Sequence, residues 1–223
     1  EGRVAADVTY KDYKSGSTGD TLWVAVKKTA ECKGYKITCI PKSLSSRITS
    51  DDVAASYFER INATMMQDDF TNAQMTGFDE PFKDNTPYTV LTLGYDKYGV
   101  ACSMSKAEFT TPKKPLVGNP QIKGEIVSTT ATTIKAKFTP NADVAGYAVC
   151  IFPEGKAQEQ FEQFGPMMGL SNIGDMIKRW GVPRTGEGEH EWTGMEPNTK
   201  YEIYIQAWDK AETYADMVIV PVT

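Results

Sequence analysis

A chain of 223 residues, 40% of them hydrophobic and 24% charged, has the composition of a protein that folds around a packed core. Its length admits one large domain or two ordinary ones. The net charge of −5, with 24 Lys and Arg scattered rather than clustered, argues against nucleic acid, and no apolar run approaches the roughly 18 residues that a bilayer span needs.

The chain opens on "EGRVAADVTY", strand-like and without the basic and apolar regions of a signal peptide; a mature or trimmed exported chain is expected. In "TLWVAVK" a period of two puts Leu22, Val24 and Val26 on one face of a strand and Trp23 on the other. "GYKITCIP" (Gly34 to Pro41) reads as the next strand. Ser50 is then a candidate N-cap with Asp51 and Asp52 in the first helical turn, and Val53, Ala54, Tyr57, Phe58 and Ile61 form a stripe at helical spacing. "MTGF" (Met75 to Phe78) and "NTPYTVLTLGYDKYG" (Asn85 to Gly99) follow. "TTPKKPLVGNP" (Thr110 to Pro120) is a stiff Pro- and Lys-bearing linker that sets a boundary near residue 114. Beyond it, "TTIKAKF" aligns Ile134, Ala136 and Phe138 on one strand face, and "GYAVCIFP" (Gly146 to Pro153) is a further strand. "GKAQEQFEQFGPMMGL" reads as a short helix ending at Gly165. "SNIGDMIKRWGVP" reads as another, with Ser171 as cap, a face of Ile173, Met176, Ile177 and Trp180, and a stop at Gly181 and Pro183. "WTGM" (Trp192 to Met195) and "NTKYEIYIQAWDKAE" (Asn198 to Glu212) close the series.

Three of these blocks occur twice, in the same order and at similar spacing. "GYKITCIP" matches "GYAVCIFP", "MTGF" matches "WTGM", and aligning Tyr88 with Tyr201 carries Val90 onto Ile203, Gly94 onto Ala207, Tyr95 onto Trp208 and Asp96 onto Asp209. The chain reads as a tandem duplication with domains at 1–112 and 117–223. Short alternating strands punctuated by Gly, Pro and Asx turns make each copy an antiparallel β-sandwich.

"WTGMEPNTKYEIYIQAWD" resembles the passage between strands E and F of fibronectin type III modules, and "ATTIKAKF" resembles strand B, with Phe138 where the family commonly has Trp. The resemblance implies that Tyr201, and Tyr88 in the first copy, are corner tyrosines whose phenols bond backbone across the turn, and that Trp192 and Met195 are core. The first copy matches through Met75, Phe78, Thr86 and Tyr88, with a turn ("DEPFKDNT") four residues longer than "EPNT".

Both copies depart from the family after strand C, where insertions of roughly 30 residues (about 42–74 and 154–188) replace an ordinary short connection. The outward positions of strands C and F are apolar: Ile40, Leu91, Leu93 and Tyr95 in the first copy, and Phe152, Tyr204 and Trp208 in the second. Such a face needs a cover or a partner. Each insert is expected to fold over its own C-F-G sheet, burying Tyr57, Phe58 and Ile61, and likewise Ile173, Ile177 and Trp180. The alternative is that the helices bind a partner.

Four cysteines, with no CxxC pair and a single histidine, exclude a zinc site, and no cofactor is implied. The first reading is four reduced thiols. In a fibronectin-type sandwich the turns entering strands C and G lie at one end, so the alternative is a Cys32–Cys102 disulfide. Cys39 falls on the inner parity of its strand and Cys150 on the outer.

Little points to catalysis. His190, in "GEGEHEW", reads as an edge-strand histidine rather than a general base; Asp68/Asp69 and Asp51/Asp52 are adjacent rather than opposed; no GxSxG, Walker or Rossmann pattern occurs. "GEGEHE" lacks calcium-ligand spacing, and Asp in "DKYG" and "DKAE" belongs to a turn. The sequon at Asn62 is a weak three-residue match. Two tryptophans are candidate ligand contacts. Trp23 either stacks on a sugar or lies under a neighbouring segment, and Trp180 becomes a contact if its helix is not fully buried. The expectation is a non-enzymatic extracellular binding or adhesion region, monomeric, with an unknown protein or glycan ligand. In style the chain resembles exported, lipid-anchored surface proteins of gut Bacteroidetes. The alternatives are a glycan-binding surface protein of a polysaccharide-uptake system and an accessory region of a larger secreted hydrolase.

Overall fold

The computed structural model describes residues 2–75 and 81–223; Phe78 of the first "MTGF" block and the first two residues of the turn after it lie outside the described residues. The chain divides into two compact units, Glu1–Lys113 and Lys114–Thr223. The first contains β1 (Ala6–Lys14), β2 (Thr21–Lys28), β3 (Gly34–Pro41), α1 (Lys42–Ser45), α2 (Asp51–Arg60), β4 (Phe70–Met75), β5 (Pro87–Tyr95) and β6 (Ala101–Thr110). The second contains β7 (Ile122–Thr129), β8 (Ile134–Pro140), β9 (Gly146–Pro153), α3 (Ala157–Phe164), α4 (Ile173–Trp180), β10 (Gly188–Trp192), β11 (Tyr201–Trp208) and β12 (Val218–Val222).

Each unit pairs its strands into two antiparallel sheets in one order: first, second and fourth strands in one sheet, third, fifth and sixth in the other. These are tandem fibronectin III-like β-sandwiches. The repeated sequence blocks explain themselves in the registers. "GYKITCIP" pairs end to end with β5, from Gly34 opposite Tyr95 to Pro41 opposite Tyr88, and "GYAVCIFP" pairs with β11 from Gly146 opposite Trp208 to Pro153 opposite Tyr201. Between the sheets the alternating positions close a core of Leu22, Val24, Val26, Tyr35, Cys39 and Val90 in the first unit. The second unit buries Ile134, Ala136, Phe138, Tyr147, Ile203 and Ile205 in the same way. Tyr88 and Tyr201 are buried, and each phenol oxygen accepts from the backbone N–H five residues upstream, Lys83 at 2.9 Å and Glu196 at 2.8 Å.

The inserts form a third layer. α1 and α2 cover the outer face of the β3-β5-β6 sheet, where Phe58, Ala54 and Ile48 pack on Ile40, Leu91, Leu93 and Tyr95. α3 and α4 do the same over β9 and β11, with Phe161, Met176 and Ile177 against Ala148, Phe152 and Trp208. Both inserts return along the free edge of the third strand at equivalent tyrosines. Tyr35 exchanges backbone hydrogen bonds with Met66, and Tyr147 with Arg184. Each tyrosine hydroxyl then donates to a carbonyl two residues further on, Asp68 and Gly186, at 2.8 Å in both cases. β4 is already under way at Phe70, within the span 42–74 assigned to the first insert.

The repeated aspartate closes the turn after the fifth strand. Asp96 accepts from the N–H groups of Tyr98 and Val100. Asp209, fully buried, accepts from Ala211 and Thr213 and also from Val117, at 2.8 Å, in the linker. Burial alone would raise its pKa, but the three backbone N–H groups outweigh it and hold the carboxyl below its ordinary 3.8. A depressed folded pKa stabilises fully above the unfolded value and is lost as pH falls through the folded one. Asp209→Asn is expected to lower the melting temperature of the second unit at neutral pH, and to flatten the fall that the unsubstituted protein shows below about pH 4. Parallel melting curves for both proteins across the acid range check this.

Several sequence expectations are corrected. The N-cap of α4 is Asn172, which accepts from Asp175 N at 2.8 Å, not Ser171. Ile61 is 43% exposed because the helix ends at Arg60 and Ile61 turns past the sheet, while Tyr57 is half-buried. Trp180 is 38% exposed, since it is the last residue of α4 and lies towards the rim of the layer. On the cysteines no correction is needed to the first reading: all four are free thiols, and the alternative Cys32–Cys102 bridge is not formed. The turns entering β3 and β6 do share an end of the sandwich, but β5 runs between them, with Tyr95 paired to Gly34 on one side and Ala101 on the other. Each thiol is turned to a local carbonyl, Cys32 Sγ to Gly34 at 3.1 Å and Cys102 Sγ to Val100 at 3.4 Å. Burial pushes the Cys39 thiol up to about 12.

Candidate functional site

The side chains with unspent chemistry gather in the second unit, where the free edges of β9 and β10 face each other across a groove of about 330 Å³. Phe152, Gln160, Trp180, Arg184, His190 and Trp192 supply its walls.

The third-layer helix builds one wall. α4 stops at Trp180 because Gly181 follows, and Gly181 fits where a Cβ would come within 2.8 Å of the Val149 carbonyl oxygen. That contact lays residues 181–184 against β9 and brings Arg184 into its bridge with Tyr147. The Trp180 ring is held by aromatic neighbours, with Phe164 at 6.1 Å in an edge contact and Phe152 at 6.5 Å.

The other wall is β10, where His190 and Trp192 share one strand face, their rings 4.6 Å apart and nearly perpendicular. The Arg184 guanidinium spans the two walls. It donates to His190 Nδ1 at 2.9 Å and to the Glu189 carbonyl at 3.4 Å. A guanidinium cannot accept, so Nδ1 is the acceptor and the imidazole is neutral with its proton on Nε2. Burial, and then the Arg184 charge, lowers the His190 pKa from its ordinary value, which favours the same form. Arg184 makes no ion pair with any described residue, and the nearby carboxylates are taken by lysines of β8, Glu189 of β10 by Lys135 and Glu187, just before that strand, by Lys137.

On the floor, Tyr147 spends its N–H and C=O on Arg184, and strand alternation turns those of Val149 and Ile151 to the same side. Gly181 covers Val149. The N–H and C=O of Ile151 find no partner among the described residues. Cys150, beside them, points under the helices; burial raises its thiol to about 11, and it donates to the Ile177 carbonyl at 3.8 Å.

The first copy holds no such set. Its equivalents, by the bridge to the third strand and by the register with the second strand, are Met66 for Arg184, Ala73 for His190 and Met75 for Trp192. Trp23, the other tryptophan singled out in the sequence, is half-buried on β2 with the Lys14 ammonium 5.4 Å from its ring, and it lines no part of the groove. Of the groove residues, sequence reasoning named only Trp180 as a contact; it read Trp192 as core, and that ring does pack on the core, edge-on to Phe138 at 6.4 Å, while His190 was read as an ordinary edge residue. The available signal was the change from apolar to Arg, His and Trp at three aligned positions. Because Trp180 keeps more than a third of its surface open, Trp180→Ala is expected to destabilise the second unit by only about 1–2 kcal/mol, below the usual cost of a core aromatic. Denaturant unfolding of that variant beside Ile177→Ala, which removes a fully buried side chain, measures the difference.

Among the described residues no group of three or more His, Cys, Asp or Glu side chains is placed to hold a metal ion, and no helix is long and apolar enough to cross a membrane. No family profile matches the chain, and no curated protein sequence matches it. Solved structures similar to it include the following two. A two-domain fibronectin type-III segment of chicken tenascin shares 13% identity over 97% of this chain and 97% of its own, with a TM-score of 0.28. The FN1–FN3 domains of chicken CNTN1 share 12% identity over 99% of this chain and 68% of theirs, at the same TM-score. The assignment of the fold rests on the strand order and registers described above.

Proposed function

We propose that the chain is a non-catalytic binding or adhesion region of an exported, lipid-anchored surface protein, with the groove of the second unit as its ligand seat. The observation that carries this reading is the divergence of the two copies. Frame, corner tyrosines and helical cover are shared, while Met66, Ala73 and Met75 in one copy answer to Arg184, His190 and Trp192 in the other. An exposed tryptophan and, in the same groove, an arginine with no counter-ion among the described residues offer a ligand both apolar surface and charge. For the non-catalytic part, the two groove side chains with nucleophile or base chemistry are both engaged: the Cys150 thiol is raised by burial, and His190 Nδ1 accepts from Arg184. The extracellular setting draws on the resemblance of the chain to exported surface proteins. The tryptophan pair favours a second reading within the same class, a glycan-binding surface protein that hands polysaccharide to an uptake system.

Arrays of glycans and of cell-surface ectodomains, probed with the purified chain and with Trp180→Ala, test the proposal. A ligand bound by the first and lost by the second, with the second unit still folded, is the expected result. Binding unchanged in both Trp180→Ala and Arg184→Gln would move the ligand seat elsewhere.

A further inference from the structure

Three features of the groove limit what fits it. The first is charge. Two of the five guanidinium N–H donors of Arg184 are used, leaving three with no acceptor among the described residues. A half-buried cation with no counter-charge favours an anion, and a planar fork of donors matches a carboxylate. One guanidinium balances one negative charge. The second feature is the aromatic rim, where Trp180 keeps an open surface and Trp192 lies across from it, suited to the apolar face of a ring. The third is the backbone. Ile151 offers one N–H and one C=O, with the Gln160 amide nearby, which suits a ligand carrying several hydroxyls.

The same backbone counts against an extended peptide. Gly181 covers the edge at Val149, and Pro153 has no N–H, so an added strand would gain hydrogen bonds at Ile151 alone. A groove of about 330 Å³ is sized for a compact ligand at the small end of the usual range.

We infer that the groove binds an acidic saccharide, a uronic acid unit of a glycan, with its carboxylate on Arg184, its ring against Trp180 and hydroxyls on Ile151 and Gln160. This rests on the groove being the ligand seat and adds the class of ligand. Titration calorimetry of the full chain at low salt tests it, using trisaccharides ended by glucuronate or galacturonate, their neutral hexose counterparts, sulfated hexose counterparts and an extended acidic peptide. The expected result is that one of the uronates binds about tenfold or more tighter than its neutral counterpart. Arg184→Gln should abolish that preference by weakening the uronate far more than the neutral sugar, while Trp180→Ala should weaken both sugars alike. Equal affinity for acidic and neutral sugars, a preference that survives Arg184→Gln, or tighter binding of the sulfated sugar or the peptide overturns the inference. So does binding of none of them; in that case the groove remains the ligand seat if an array ligand is still lost on Trp180→Ala.

Discussion

Phe58→Ala should unfold the first unit at a markedly lower temperature, at a cost of about 3–5 kcal/mol. Phe58 is fully buried in α2, yet it is no part of the core between the sheets; it packs on the outer face of β5 with Ile40, Leu91 and Leu93. Truncating it removes a fully buried ring from that layer and leaves the smaller Ala54 and Ile48 to cover the same side chains, so the void is floored by sheet residues held in the strand ladder. A loss of that size corresponds to a fall of roughly 10 °C or more for a unit of this length. Calorimetry of the intact chain, with the transition of the second unit as an internal reference, gives the result. A cost under about 1 kcal/mol would mean that α2 detaches before the sandwich melts, and that the helical layer is not part of the cooperative fold.

Gly181→Ala is expected to cost about 2–4 kcal/mol and to remove ligand binding as well. The added methyl would meet three backbone atoms, Val149 O at 2.8 Å, Ile177 O at 2.9 Å and Val149 N at 3.1 Å, none of which can rotate away as a side-chain tip can. Residues 181–184 would have to leave β9, breaking both hydrogen bonds between Tyr147 and Arg184 and carrying the guanidinium off His190. Loss of binding with unchanged stability, or the reverse, would separate the two roles assigned to this glycine. Nuclear magnetic resonance of the Arg184 side chain, alongside denaturant unfolding, reads them independently.

The frame was legible because a sandwich writes itself locally. Leu22, Val24 and Val26, or Ile203 and Ile205, alternate by the geometry of a strand, and the duplicated blocks report the pairing of β3 with β5 and of β9 with β11. Even the third layer could be read, since Leu91, Leu93 and Tyr204 are apolar where a two-layer sandwich would show polar residues to water. Helical spacing gave the buried face of α4 through Met176 and Ile177, but it carries no information on where the sheet beneath ends, and so Trp180 was expected to be covered. Ser171 and Asn172 are both good caps, and periodicity cannot choose between neighbours. The groove was less legible still. Arg184 comes from the returning insert, His190 from β10 and Ile151 from β9; they meet through a single backbone bridge at Tyr147 that leaves no repeating pattern in the sequence.

The helical layer has a consequence for anyone trimming the protein. In each unit the strands that make the sandwich are not the residues that keep it dispersed in water. Leu91, Leu93 and Tyr95, or Tyr204 and Trp208, would be bared if the insert were cut out or nicked, beside a third-strand edge that the insert also guards at Tyr35 or Tyr147. An apolar sheet face next to an unpaired edge is a template for fibrillar stacking. A minimal six-strand version of either unit would therefore precipitate unless those outward positions were made polar in the same step.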